Sequence, residues 1–200
     1  MTKSPNAGKS TESRMFDMDA VSKAVTANTD RSLPPVHLWT PNYSGEIDIR
    51  IARDGTWFHE GGEIKREGLV RLFASILKRE DGAYYLVTPV EKWRITVDDA
   101  PFVATDMSIT GEGRDQRLTF TTKVGGRVTA GPEHPLRLAC TLDAPCPYVE
   151  VRAGLEALID RKTFYRMIDQ GVAEDHNGAS WFGVWSDGKF FPLIPTDGLC

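Results

Sequence analysis

Glu91, Lys92 and Trp93 are consecutive near the middle of the chain, and Arg66 and Arg152 flank them at a distance. A lysine ammonium is a compact partner for a phosphate, an arginine offers a two-pronged fork for the same anion, and an indole face can stack a base. Together these residues carry the chemistry for holding a small anionic, nucleotide-like ligand. Each also has a plainer use: Lys92 and Arg66 as solvated charges, Trp93 as core, Arg152 in a structural ion pair. His59 follows Trp57 by two positions, and strand residues two apart share a face. His59 is therefore a candidate functional histidine, against the ordinary role of a half-buried polar group bonded to backbone.

Signatures of a reaction are sparse. Asp98 and Asp99 are adjacent, so on a strand they point to opposite faces and make a poor shared-proton pair. The chain has no G-x-S-x-G elbow, and no cysteine and histidine are placed by a motif as nucleophile and base. AGKST at Ala7–Thr11 imitates a phosphate loop, but Lys3 stands where the first glycine is needed and no strand precedes it. His37, His59, His134 and His176 show no metal-ligand spacing. No catalytic residue, metal or cofactor is expected.

The elements that would position these groups follow from periodicity. Residues 1–32 read as a polar tail followed by a short amphipathic helix over Asp17–Ala27, with Met18, Val21, Ala24 and Val25 at helical spacing. The prolines of SLPPVHLWTP make the next segment extended. Ile47, Ile49 and Ile51 alternate with Asp48 and Arg50, which predicts a strand, and Asp54-Gly55 turns it into Thr56–Gly61. Ile64, Leu69, Leu72, Phe73, Ile76 and Leu77 predict a helix, after which Ala83–Val97 returns to strand character. Thr88–Trp93 closes this unit, so its polar groups are expected to face a crevice between two domains.

The pattern then recurs. IKREGLVRLF at Ile64–Phe73 is echoed ninety-five positions later by IDRKTFYRMI at Ile159–Ile168. Val149–Arg152 repeats the apolar, acid, apolar, arginine order of Ile47–Arg50, and Gly178–Phe182 echoes Gly82–Leu86. A helix is expected between Ala157 and Gln170. Three matching segments in one order argue for an internal strand-helix-strand repeat. Pro101–Thr141, between the copies, alternates and turns like a run of strands.

Composition sets outer bounds. The chain has 200 residues, 40% hydrophobic and 26% charged, with a net charge of −4. That is a globular balance, and it disfavours a protein that coats nucleic acid. Lys65, Arg66, Arg71, Lys78 and Arg79 make one basic helix face, but Glu63, Glu67, Glu80 and Asp81 dilute it. No stretch has the length and apolarity of a membrane span or an export signal, so a cytoplasmic location is expected. Cys140, Cys146 and Cys200 form no C-x-x-C pair and read as reduced thiols.

The phrases DGTWFHEGGEIKREGLVRLFASILKREDGAYYLVTPVEKWRI, DDAPF and PYVEVRAGLEALIDRKTFYRM resemble a bacterial family known as domain of unknown function 1285. The resemblance spans about residues 33–195. It implies a duplicated core of two domains, the C-terminal one superficially like a pleckstrin-homology fold, with a ligand pocket at the domain interface, a nucleotide or nucleic-acid-derived ligand, and a role in signal transduction.

The expectation is thus an α+β protein of two small domains, 33–97 and 98–200, with mostly antiparallel sheets and a β-rich second domain. It binds a small anionic ligand between its halves through Lys92, Trp93, Arg66, Arg152, His59 and Glu91. Two rivals are a hydrolase or transferase built on the same cleft and a protein-interaction module. The sequence leaves oligomeric state open.

Overall fold

A computed structural model describes residues 33–139 and 146–196. Its strands fall into five antiparallel three-stranded meanders. The first is β1 (Tyr43–Ile51), β2 (Trp57–His59) and β3 (Gly62–Glu63), and the second is β4 (Leu77–Glu80), β5 (Ala83–Val87) and β6 (Lys92–Val97). The third is β7 (Phe102–Thr110), β8 (Arg117–Thr122) and β9 (Arg127–Thr129). The fourth is β10 (Leu136–Ala139), β11 (Cys146–Arg152) and β12 (Leu155–Ile159). The fifth is β13 (Val172–His176), β14 (Ala179–Ser186) and β15 (Lys189–Pro195). Helix α1 (Glu67–Ser75) follows the first meander and α2 (Arg161–Ile168) follows the fourth.

Meanders one and two join through a parallel contact of β1 with β6, giving the order β3-β2-β1-β6-β5-β4. Meanders four and three join likewise through β12 and β7, giving β10-β11-β12-β7-β8-β9, while the fifth stands as a separate sheet. The other strand pairs among the described residues are antiparallel, because short turns rather than helical crossovers connect them. Asp81-Gly82, Ala153-Gly154, Asn177-Gly178 and Asp187-Gly188 each place two successive residues at positive φ. That backbone matches the right-handed twist of a tight hairpin.

Helix boundaries differ from the periodic expectation. Ile76 and Leu77 continue the apolar face of α1 in sequence, yet the helix ends at Ser75 and Leu77 opens β4, paired with Leu86. Similarly, Ala157, Leu158 and Ile159 belong to β12, and α2 begins only after Asp160, whose Oδ1 accepts from the Thr163 amide at 2.8 Å. Buried strand positions and buried helix positions are both apolar, so a short run next to a helix takes on its apparent period. Ala83–Val97 divides into β5 and β6. Pro89 cannot continue a ladder, and the Thr88 hydroxyl accepts from the amides of Val90 and Glu91 to form the turn.

The largest apolar cluster contains Ile49, Ile51, Trp57, Phe73 and Leu86 from the N-terminal half and Phe102, Met107, Leu118, Phe120, Ile159 and Met167 from the C-terminal half. The two halves thus share one core. Such a junction resists the free hinge motion expected of a small polar interface. The expected tail and the Asp17–Ala27 helix lie outside the described residues, as do Cys140 and Cys200. Cys146 is a buried thiol. No helix among the described residues is long and apolar enough to cross a membrane.

Candidate functional site

The residues singled out by type separate in space. Lys92 opens β6, whereas the chain enters the C-terminal half from the other end of that strand, past Val97. Its ammonium is paired with Glu80 and lies 4.6 Å from the centre of the Tyr85 ring. Lys78 holds the other oxygen of Glu80 at 2.8 Å. Hydrogen bonds from Lys78 and then Lys92 keep the Glu80 carboxyl below its usual range, and Glu80 in turn raises the Lys92 ammonium. Trp93 is 5% exposed, and its indole N–H donates to Glu91 at 3.3 Å. Glu91, Lys92 and Trp93 therefore sit together, at the end of the sheet away from the crossover.

Arg152 bridges the halves. It donates from Nη2 to the carbonyl of Ala74 at 2.6 Å, and its guanidinium lies 5.3 Å from the centre of the Phe102 ring. Ala74 is in the last turn of α1, where carbonyls lack helical partners and the helix dipole favours a cation. Burial pushes the arginine pKa down, and the carbonyl supplies the compensating contact. Arg79 makes a parallel link, donating to the Gly154 carbonyl at 3.0 Å. His59 ends β2 opposite Ile49 and is half-buried. Arg66 is exposed at the start of α1 and offers no side-chain cap.

A cleft of about 480 Å³ opens elsewhere along the same junction. Gly55 and Thr56 from the β1–β2 turn and Trp57 at the start of β2 line it, as do the approach to α1 with Glu63, Ile64 and Lys65, the first turns of α1 with Glu67, Val70 and Arg71, and Lys123–Gly125 of the β8–β9 turn. Three cations thus meet two carboxylates over an apolar floor. None of the six residues chosen from sequence lines it, although Arg66 lies between two that do.

Two further features lie beside the cleft. Trp57 is 2% exposed, and its indole N–H has no hydrogen-bond partner among the described residues. Leaving such a donor unpaired costs about 1 to 3 kcal/mol. Helix α1 begins without a side-chain cap, unlike α2 with its Asp160, and the acid that meets its positive end is Glu67, paired with Arg71 at 2.5 Å.

Lys123 closes one end. Its ammonium donates to the Asp54 carbonyl at 3.1 Å and the Thr56 hydroxyl at 3.3 Å. Gly55 has φ +78°, and a Cβ at this position would stand 3.0 Å from Val103 Cγ2, so the turn rests directly on β7. The Thr56 amide and hydroxyl both bond the Asp54 carboxylate and hold it below its usual range.

Asp98 and Asp99 take separate partners, Arg50 at 2.9 Å for the first and Arg53 at 3.1 Å with the Tyr148 hydroxyl at 2.7 Å for the second. They do not form a dyad. No cluster of three or more histidine, cysteine or acidic side chains suited to a metal ion occurs among the described residues.

Two family models cover the described chain. Residues 34–100 match the N-terminal domain of unknown function DUF1285, and residues 101–193 match the C-terminal domain of the protein of unknown function DUF1285. The chain belongs to the DUF1285 family. A solved DUF1285 structure from Silicibacter pomeroyi DSS-3 is 54% identical, covers 92% of this chain and 98% of its own, and has a TM-score of 0.83. A second DUF1285 structure, from Shewanella baltica OS155, is 28% identical over 60% of this chain and 90% of its own, with a TM-score of 0.49. No curated protein matches. The DUF1285 chain is therefore a two-domain protein, mostly sheet with two α-helices among the described residues, and its family name carries no activity.

Proposed function

We propose that this DUF1285 protein binds a small anionic, nucleotide-like ligand in the cleft between its domains. The observation that carries the proposal is that Lys65 and Arg71 of one half and Lys123 of the other line one cleft, with Arg71 paired to Glu67 at 2.5 Å. Cations recognise phosphate or carboxylate oxygens. Ile64, Val70 and Val124 give an apolar wall for a base or similar body, as ligand sites commonly combine a greasy wall with a few polar anchors. Binding between domains is also what a signal-transducing protein needs, since a ligand there contacts both halves at once. Likeness of the C-terminal domain to a pleckstrin-homology fold is not required, because fold analogy does not carry function.

The rival enzyme reading needs a general base at the cleft, and the lining offers Glu63 and Glu67 for that role. A thermal-shift series with mono-, di- and cyclic nucleotides tests the binding reading. Ligand at a hundred times its Kd should add ~2.7 kcal/mol, or about 5 to 10 °C for a chain of this size. A flat response to every nucleotide at saturating concentration sinks it and turns attention to a protein partner.

A further inference from the structure

We infer that Lys123 is a donor shared between the domain joint and the cleft, so that a bound anion loosens the joint by taking the lysine. The inference rests on the anion-binding proposal above and adds its consequence for the protein. Lys123 is the cation that the C-terminal half contributes to the cleft lining. In the structure its ammonium is engaged by two neutral acceptors across the junction, the Asp54 carbonyl and the Thr56 hydroxyl. A charged oxygen is the stronger acceptor, by roughly a factor of two in hydrogen-bond strength. The ammonium has a third N–H for an incoming anion, and an anion that draws it out into the cleft releases the other two.

The consequence is local. The β1–β2 turn keeps its own bonds, with the Gly55 amide donating to the Ala52 carbonyl at 2.8 Å and the Thr56 amide to Asp54 Oδ1 at 2.9 Å. It also keeps its seat on Val103, where the Lys123 amide donates to the Val103 carbonyl at 2.8 Å. What it loses is the ammonium that ties it to the β8–β9 turn. Arg152 on Ala74, Arg79 on Gly154 and, from the turn itself, Arg53 on Cys146 Sγ at 3.4 Å stay in place, and they are not among the residues lining the cleft. Ligand binding thus removes one of two ties on this turn, Arg53 keeping the other, which turns occupancy into a local loosening at Gly55 and Thr56.

Amide-resolved hydrogen exchange on the whole chain tests this in two arms. Without ligand, Lys123→Gln should speed exchange at Gly55 and Thr56 by about threefold or more, as for any edge that loses a tether, while Phe164 in α2 stays unchanged. With inorganic pyrophosphate as the probe, wild-type protein should show the same rise at the same two amides. The variant should show no further rise and should bind pyrophosphate about tenfold more weakly by calorimetry. No change in the ligand-free variant overturns the shared-donor idea. Saturable binding with unchanged or slowed exchange also overturns it, but leaves the cleft as a binding site. No pyrophosphate binding at all overturns the inference and the anion-binding proposal together.

Discussion

Arg152 and Lys123 both cross the same junction to donate to a backbone carbonyl of the other half, yet they sit in opposite settings. Arg152 is packed against Phe102 and caps the last turn of α1, with burial lowering its pKa. Lys123 borders an open cleft among other charges. The same bond is structural where partial burial and an aromatic ring shelter it, and exchangeable where it borders an open cleft. Lys92 gives a third case, in which Glu80 already answers the cation.

The contrast can be broken first at Arg152. Arg152→Ala should cost about 2 to 3 kcal/mol in denaturant unfolding, because it strips a charged donor from a helix-end carbonyl and uncovers Phe102, and it should leave ligand affinity within twofold. Full stability with lost binding would reverse the roles assigned to the two crossings. Gly55→Ala comes next. Its left-handed φ and the near contact with Val103 predict a loss of about 1 to 2 kcal/mol, read in the same unfolding curves, and a wild-type midpoint would show that the turn does not rest on β7.

The smallest effect is at Glu80. Its carboxyl is held low in the folded chain, so it contributes stability above its unfolded pKa of roughly 4.3 and loses it as pH falls through the folded value. Glu80→Gln should therefore cost less than about 1 kcal/mol near pH 7 and progressively less below about pH 4. A gap that widens with acid would contradict the pairing with Lys78 and Lys92. Lys92→Ala should likewise leave ligand affinity unchanged, and a loss there would move the site to the Glu91–Trp93 end of the sheet.

Local physics made much of the fold legible. The Ile47–Ile51 alternation and the Asp54-Gly55 turn became β1 and the turn to β2, and strand, helix and strand recur in the expected order around Arg66 and Arg161. The helix ends were not legible, since Leu77 and Ile159 are apolar for strand reasons while sitting at helical spacing. Pairing was not either. Nothing in Val97 or Phe102 announces that β6 will run parallel to β1 and β7 parallel to β12.

The cleft escaped for the same reason. Lys65 and Arg71 were visible as part of a diluted basic helix face, but Lys123 is one lysine in a Gly-Gly turn. Only the long-range docking of that turn on Asp54 and Thr56 brings it to the cleft. Residue type pointed to Lys92 and Arg152, whose needs are met by Glu80 and by Ala74.

The most direct measurement is the nucleotide thermal-shift series repeated on a Lys65→Gln/Arg71→Gln variant. The cleft account predicts that a nucleotide which stabilises the wild type needs at least about tenfold higher concentration to do so in the variant. An identical concentration dependence in a folded variant would contradict it and place the ligand away from the cleft.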